Sequence, residues 1–391
     1  MIPSERLDAA LWVYQISILT TIVAITQVPY TSAIMAHEKM DIYAYLSIFE
    51  AIAKLIVAYL LSIAPYDKML FYAILIAIVQ ILLASFYRFF CVNKFQECRL
   101  NFSFDKSIFK KMMGFSGWNI TANIAEMLKA QGVIVLINMF FQPAIVAAQA
   151  IGNQITNAMM QFINNIRTAV NPQIIKLYAS GDYEGSKRLT LKSSLYVFDL
   201  LLLLGLPFIL LMEPILNLWL KEVPPYTVVF AQCIVASQII GNFSASLYIP
   251  MTAANKIKKN SEAAVIFGFG YFIILYFILK FGGDVMWIQY INIINMALWS
   301  YIIKPYILYK DVDYNIKEMA NCIFATLKVG LVSILLSIPV KLMFDDSILG
   351  CIIVLLSTIV AVSFSSYIFM YKEDRLLVIK FLKKKLSINY K

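Results

Sequence analysis

The sequence predicts an all-α integral membrane protein with about eleven transmembrane helices in a two-lobe bundle. Of its 391 residues, 61% are hydrophobic and only 14% are charged, whereas soluble proteins average about 45–50% apolar and about 25% charged residues. A helix needs about 20 mainly apolar residues to cross a bilayer. Eleven stretches of roughly this length follow one another, at 8–28, 41–63, 69–91, 114–140, 144–170, 190–212, 226–249, 262–281, 284–303, 319–340 and 347–371.

Cysteine and histidine are too few and too scattered to indicate a metal site or a disulfide framework. The five cysteines show no Cys-x-x-Cys spacing, and His37 is the single histidine. We therefore expect reduced thiols, no metal, no cofactor and no catalytic residue. His37 lies in a charged turn, which favours a solvated side chain over a proton relay.

Basic residues are divided unequally between the two sets of loops, and this division predicts the orientation. Membrane proteins keep lysine and arginine in their cytoplasmic loops. Of the 33 lysine and arginine residues, 24 fall on one side, five on the other and four within spans. The richer side includes the C-terminus, which is predicted to be cytoplasmic, so an odd number of spans leaves the N-terminus outside. The net charge of +10 reflects this asymmetry, and we expect no nucleic-acid partner.

An internal repeat is indicated by matched prolines. Residues 2–33 align without a gap with residues 223–254, so that Pro29 meets Pro250 and Thr31 meets Thr252. Proline ends or kinks a helix, and the small residues that follow allow close approach of the next helix. The shift covers six spans, so the two copies keep the same orientation. Parallel repeats of this kind are typical of transporters that bind substrate between two lobes.

The first copy of the repeat is preceded by no span, whereas the second is preceded by three. The sequence therefore predicts an N-terminal lobe that is incomplete by three helices. The domain division that follows is a partial N-terminal lobe with a cytoplasmic linker at 1–111, a six-helix C-terminal lobe at 112–310, and a terminal helix pair with a basic cytoplasmic tail at 311–391.

Charged and amide side chains within the predicted spans are candidates for a substrate cavity. Glu50 and Lys54 are four residues apart, the spacing of an ion pair on one helix. In the fourth span Asn123 and Glu126 share a face, and Lys129 follows one turn later. Such residues are costly in a bilayer unless they pair or line water. They are interpreted either as structural bridges or, as we favour, as cavity lining.

A stripe of amides on the fifth span is the clearest functional signal. The stripe is spaced for a single helical face, and Arg167 follows near the predicted cytoplasmic end. Amides both donate and accept hydrogen bonds, which suits sugar hydroxyls. Hydrogen bonding between helices is the alternative interpretation, and Arg167 is expected either to hold a phosphate or to anchor the helix. The stripe consists of Gln149, Asn153, Asn157, Gln161 and Asn164.

Several phrases resemble those of a known transporter family. They are "IPSERLDAALWVYQ" with "VPYTSAIMAHEKM", "FSGWNITANIAEMLKAQGVIVLINMFFQPAIVAAQAIGNQI", and "AVNPQIIKLYASGDYEGSKRL". The chain is similar in these phrases to polysaccharide flippases of the Wzx type, in the MATE-like MOP superfamily, and most of all to lipopolysaccharide and capsule exporters of Bacteroides-like bacteria. The family has fourteen helices, and the first span here matches its fourth.

The resemblance implies a function and a set of partners. It implies a flippase of the bacterial inner membrane that moves undecaprenyl-pyrophosphate-linked oligosaccharide to the periplasmic leaflet by alternating access, for O-antigen or capsule biosynthesis. Lipid-linked oligosaccharide and membrane lipids are the expected partners, with other polysaccharide assembly proteins nearby, and the chain is expected to be a monomer. The alternatives are a MATE-type cation or drug antiporter, a membrane polysaccharide polymerase or glycosyltransferase, and an inactive truncated remnant.

Overall fold

The computed structural model of the chain is helical wherever it has regular structure. It describes residues 7–63, 67–99, 105–377 and 379–380, so most of the predicted basic tail lies outside the described residues. Within these ranges the helices are α1 (Leu7–Ala36), α2 (Met40–Ile63), α3 (Lys68–Lys94), α4 (Lys106–Phe140), α5 (Pro143–Ala179), α6 (Tyr183–Leu210), α7 (Met212–Trp219), α8 (Thr227–Asn242), α9 (Tyr248–Ala253), α10 (Lys258–Lys280), α11 (Trp287–Leu298), α12 (Lys304–Val312), α13 (Ile316–Met343) and α14 (Ile348–Phe369).

The predicted fold class is confirmed, and each of the eleven predicted spans coincides with helical structure. Nine helices in the described ranges are long and apolar enough to cross a membrane, so the chain is a multi-pass membrane protein. The two predicted spans outside this set are α5 and α11 with its continuation. Both carry amide side chains, which lower the hydropathy of their helices, and the amides of these two helices contact each other, as shown below.

The described chain divides into two compact units, residues 1–105 and 106–391. In unit 1, α3 packs against both α1 and α2, and its packing against α1 is the more extensive. A small core at one end of these helices includes the fully buried Ile34 and Cys91. Two to three helical turns away from this core, the amide of Gln80 donates to Gln27 Oε1 at 3.1 Å and joins α3 to α1.

The turn after α1 is held to the segment after α3 by His37. Its ring stacks on Phe95, with centroids 4.0 Å apart, and its Nε2 contacts the Glu97 carboxylate. His37 is exposed, as predicted for a solvated side chain, and it also contacts an aromatic ring and a carboxylate of the segment after α3. The hydrogen bond from His37 lowers the pKa of Glu97 below its usual value, so Glu97 is ionised at neutral pH.

The repeat predicted from the two prolines has a structural counterpart at two turns. The turn after α1 contains Glu38 at φ 55°, and the turn after α9 contains Asn255 at φ 53°. Both are closed by the same pattern of three backbone hydrogen bonds. The two copies differ in register, because Pro250 lies about one helical turn nearer to its positive-φ residue than Pro29 does.

The prolines also affect their helices differently from the prediction. Pro29 does not end α1, which continues to Ala36. Before Pro250 the chain leaves α8 through a 3₁₀ turn, Phe243–Ala245, and then enters the short helix α9. A proline lacks an N–H and cannot complete the helical hydrogen-bond ladder. In α1 the ladder continues around that gap, whereas in the second copy the helix is interrupted.

In unit 2, α6 packs against α5, α8, α13 and α14. One face of α5 packs against α6 and α8, and it buries Ile155, Met159 and Ile163. α13 and α14 pack against each other and against α6. At the end of this layer Lys192 Nζ lies 2.6 Å from Asp374 Oδ1, which fastens the segment after α14 to α6.

We expect that enlarging Gly152 will destabilise unit 2. A Cβ built on Gly152 would lie 2.5 Å from Ile234 Cδ1 and 3.3 Å from the Cα of Ala231 in α8. Overpacking of this kind costs about 1–3 kcal/mol, so Gly152→Val should lower the thermal unfolding midpoint of the purified protein in detergent. Gly270→Val is the control, because a Cβ at Gly270 meets nothing within 4 Å. Equal midpoints for the two variants would contradict this packing.

Candidate functional site

A polar pocket of about 190 Å³ lies inside unit 2, between α4, α5, α8, α10 and α11. Polar side chains from each of these helices line it. The sequence-predicted candidates Glu126, Lys129, Gln149 and Asn153 all line this pocket. The other polar side chains of its wall are Ser237, Gln238, Tyr271, Gln289 and Asn292.

A chain of amides links α5 to α11 along one wall of the pocket. The Nε2 of the buried Gln289 donates to Gln149 Oε1 at 2.7 Å, and Gln149 Nε2 donates to Asn153 Oδ1 at 3.4 Å. On the same helix as Gln289, Asn292 donates to the Ser237 hydroxyl at 3.1 Å. Gln149 therefore joins α5 to α11, and both Gln149 and Asn153 line the cavity.

Lys129 is held by uncharged groups instead of the carboxylate nearest to it in sequence. Its ammonium donates to Asn295 Oδ1 at 2.8 Å and lies 4.9 Å from the centre of the Tyr271 ring. Glu126 forms no ion pair with Lys129 within the part of the chain that the structure describes. These two residues therefore do not form the ion pair of the structural-bridge interpretation, although the Glu126 carboxylate is near enough to interact electrostatically with the Lys129 ammonium.

The second half of the amide stripe is exposed. Asn157, Gln161 and Asn164 all have exposed side chains, and their amides make no hydrogen bond to any other described residue. The opposite face of α5 is the buried one that packs on α6 and α8. The stripe therefore consists of two amides that are hydrogen-bonded to each other at one end and, at the other end, three exposed amides that are not hydrogen-bonded to described residues.

Arg167 contacts the point at which α8 is interrupted. Its Nη2 donates to the backbone oxygen of Asn242 at 3.2 Å and to the side-chain oxygen of Asn242 at 2.8 Å. Its Nε is buried and has no hydrogen-bond partner among the residues that the structure describes. Carbonyls at an interrupted helix have no partner in the helix itself and must find one elsewhere when water is excluded. Arg167 supplies such a partner, and its Nε–H remains available as a donor to another group.

Two further side chains donate hydrogen bonds to carbonyls at the same interruption, and neither was identified from the sequence. α11 continues through a π-helical segment, Trp299–Ile303, into α12. From this segment Ser300 Oγ donates to Gly241 O at 2.9 Å, and Lys304 Nζ donates to Ser244 O at 3.2 Å. Lys304 directly follows the predicted span 284–303 and was expected outside the membrane, whereas the structure buries it at the start of α12.

Lys304 is held among aromatic rings. Its ammonium lies 5.6 Å from the centre of the Trp299 ring and 5.8 Å from that of Tyr248, a geometry that attracts cations. Tyr248 in turn donates its hydroxyl to Asn119 Oδ1 at 2.5 Å. A run of aromatic residues around a Lys-Pro pair is the signal in the sequence that could have indicated a buried lysine.

Of the three remaining candidates, two lie in unit 1. Lys54 Nζ and Glu50 Oε1 are 2.7 Å apart on α2, so the predicted ion pair is confirmed. The last candidate, Asn123, is an exposed residue of α4 in unit 2. Within the described ranges no group of three or more His, Cys, Asp or Glu side chains is arranged to hold a metal ion.

One comparison with known proteins gives a match. Residues 4–182 match the model of a family described as polysaccharide biosynthesis protein. The match is just under half of the chain, and it runs from α1 through the end of α5, so it includes the whole amide stripe. It links the chain to polysaccharide biosynthesis, in agreement with the resemblance found in the sequence. No curated protein and no solved structure matches the chain.

We expect Arg167→Met to destabilise the protein. The change removes the two hydrogen bonds that the guanidinium donates to Asn242, and the backbone carbonyl of Asn242 loses this donor. Hydrogen bonds to charged groups contribute about 1.5–3 kcal/mol each. Relief of the cost of burying a cation offsets part of this, so we expect a net loss of about 1–3 kcal/mol in detergent unfolding experiments.

Lys328→Met is the control for Arg167→Met, because Lys328 is an exposed cation of α13 whose ammonium lies 6.0 Å from the centre of the Phe369 ring. This variant should unfold at the temperature of the unmodified protein. An Arg167→Met variant as stable as the control would show that Arg167 does not stabilise the interruption.

Proposed function

We propose that the chain is a flippase that moves a lipid-linked oligosaccharide across the bacterial inner membrane during surface polysaccharide synthesis. The family match supports a role in polysaccharide biosynthesis. The observation that carries the proposal is the row of exposed, unsatisfied amides on α5. The chain acts as a transporter without covalent chemistry or a cofactor, and its C-terminus is cytoplasmic.

The amide row suits a sugar chain that must move. In a membrane protein an amide cannot face hydrocarbon without losing several kcal/mol of hydrogen bonding, so the row faces a hydrated path. Each amide offers both donors and an acceptor, and a sugar hydroxyl needs both. Asn157, Gln161 and Asn164 recur at intervals of three or four residues, about 5–6 Å along the helix. A substrate can therefore exchange one partner for the next without losing all its contacts.

The pyrophosphate group requires cations whose charge is not already neutralised. Lys129 and Arg167 meet this requirement, because their partners here are neutral oxygens. Lys54 does not meet it in this conformation, because Glu50 pairs with it. We therefore assign the anion contacts of the transport path to Lys129 and Arg167, and we assign Lys54 to the stability of α2.

Thiol labelling tests whether the amide row faces water. In a variant from which the five native cysteines have been removed, Asn157→Cys and Gln161→Cys should react with small, membrane-impermeant thiol reagents. Ile155→Cys and Met159→Cys, on the buried face of the same helix, should stay unmodified. Equal reaction on both faces, or no reaction on either, would contradict the hydrated path.

A transport measurement tests the function itself. In a bacterial host whose surface polysaccharide depends on this chain, the double variant Asn157→Leu, Gln161→Leu should reduce polysaccharide export by about tenfold, because two hydrogen bonds of about 0.5–1.5 kcal/mol each are removed. Membrane protein abundance should be unchanged. Unaltered export by the double variant would remove the amide row from the mechanism.

Asn138→Leu is the matched control for the transport measurement. Asn138 is also an exposed amide of unit 2, but its Nδ2 donates to Ile134 O of its own helix at 3.0 Å. Its replacement should leave export at the level of the unmodified protein. If the control reduces export as much as the double variant does, the loss comes from amide removal in general.

A further inference from the structure

A groove of about 930 Å³ lies between α1 and α3 in unit 1, and neither the transport path nor any sequence motif accounts for it. Its α1 wall includes Pro29, Ala33 and Ala36, and its α3 wall includes Ala84 and Ser85. These small side chains leave a gap between two helices that otherwise pack closely. The volume is typical of a site for a small-molecule ligand, about 300–1,000 Å³.

The two ends of the groove differ in polarity. The inner end is lined by Val23 and Ile81, and the other end by Arg88 and Arg99. α1 and α3 run in the same direction, because the segments that follow them meet at His37 and Glu97. Arg88 is six residues from the end of α3, about 9 Å along the helix axis. Arg88 therefore lies near the end of the helix, and its side chain can reach a lipid head group at the membrane surface.

The two arginines are available to an anion. Neither Arg88 nor Arg99 forms an ion pair within the part of the chain that the structure describes. One carboxylate, Glu97, also lines the groove, but it is already engaged by His37. An arginine inside a membrane helix is costly unless it has a partner, and a guanidinium binds phosphate oxygens by two parallel hydrogen bonds.

We propose that this groove binds the pyrophosphate end of a polyprenyl lipid, with Arg88 and Arg99 on the two phosphates and the first part of the chain between Ala33 and Ala84. The proposal rests on the proposed function and adds a lipid-binding site in unit 1 to the sugar path of unit 2. Two guanidinium groups match a head group with two phosphates better than a phospholipid with one. The inner end, where Val23 and Ile81 lie beside Thr26 and Gln27, carries no charge. It can take a prenyl chain, whereas a free anion would make no use of it.

Native mass spectrometry of the full chain in detergent tests this site directly. The protein is titrated with a polyprenyl pyrophosphate, with phosphatidylglycerol and with inorganic pyrophosphate. We expect the polyprenyl pyrophosphate to bind most tightly, and Arg88→Gln to weaken it by about tenfold to a hundredfold. Glu97→Gln should tighten binding, because it removes a negative charge from the groove. Comparable binding of phosphatidylglycerol or of inorganic pyrophosphate by the unmodified protein would overturn the proposal.

Lys94→Gln is the matched control. Lys94 is an exposed cation at the end of the same helix and does not line the groove, so its loss should leave lipid affinity unchanged. Equal affinities of Arg88→Gln and Lys94→Gln would also overturn the proposal. If Arg88→Gln unfolds, two other variants still test the proposal. Arg88→Lys keeps the positive charge and should still bind the polyprenyl pyrophosphate, and Glu97→Gln should bind it more tightly than the unmodified protein does.

The binding measurement is independent of transport. If the lipid binds through Arg88 but the amide variants export normally, the groove is correct and the proposed path along α5 is wrong. If the amide variants fail to export but lipid affinity does not depend on Arg88, the path is supported and the groove proposal is wrong.

Discussion

The arrangement of unit 2 depends on one constraint, which is that polar groups in a bilayer must find partners within the protein. The two predicted spans that are not apolar enough to cross a membrane by hydropathy alone are α5 and α11, and they meet through Gln149 and Gln289. Each helix thus lowers the free-energy cost of placing the amides of the other helix within the membrane. Neither would be stable against lipid on that face, so their pairing fixes where the apolar surfaces of the neighbouring helices must lie.

The same constraint explains the cations around the interrupted helix. Where α8 ends, Gly241, Asn242 and Ser244 present carbonyls that receive hydrogen bonds from Ser300, Arg167 and Lys304. Using charged donors for neutral carbonyls leaves net positive charge inside the unit. This charge is costly if nothing else uses it, since buried ions are usually paired. A transporter of an anionic head group has a use for such charge, and this links the stability of the interruption to the proposed transport path.

Much of the fold could be predicted from the sequence because it follows from local patterns. Apolar stretches of about 20 residues located all the helices that could span a membrane, and a spacing of four residues located the Glu50–Lys54 pair. The sequence also located the amide stripe, but not its division into paired and exposed halves. That division depends on α11, which is more than a hundred residues away. The hydrogen bond from Lys129 to Asn295 could not be predicted for the same reason, since Asn295 is distant in sequence.

The π-helical segment Trp299–Ile303 sets the relation between the two polar sites on this part of the chain. A π turn holds one residue more than an α turn, and one residue corresponds to about 100° of rotation around the helix. The extra residue of the π segment therefore rotates the part of the helix after it relative to the part before it. Gln289 and Asn292, before the segment, face the pocket. Ser300 and Lys304 face the interruption of α8. A single-residue deletion here would leave composition and hydropathy almost unchanged. It would nevertheless turn one polar site away from the protein, so the phase of this helix is as much a part of the site as its side chains are.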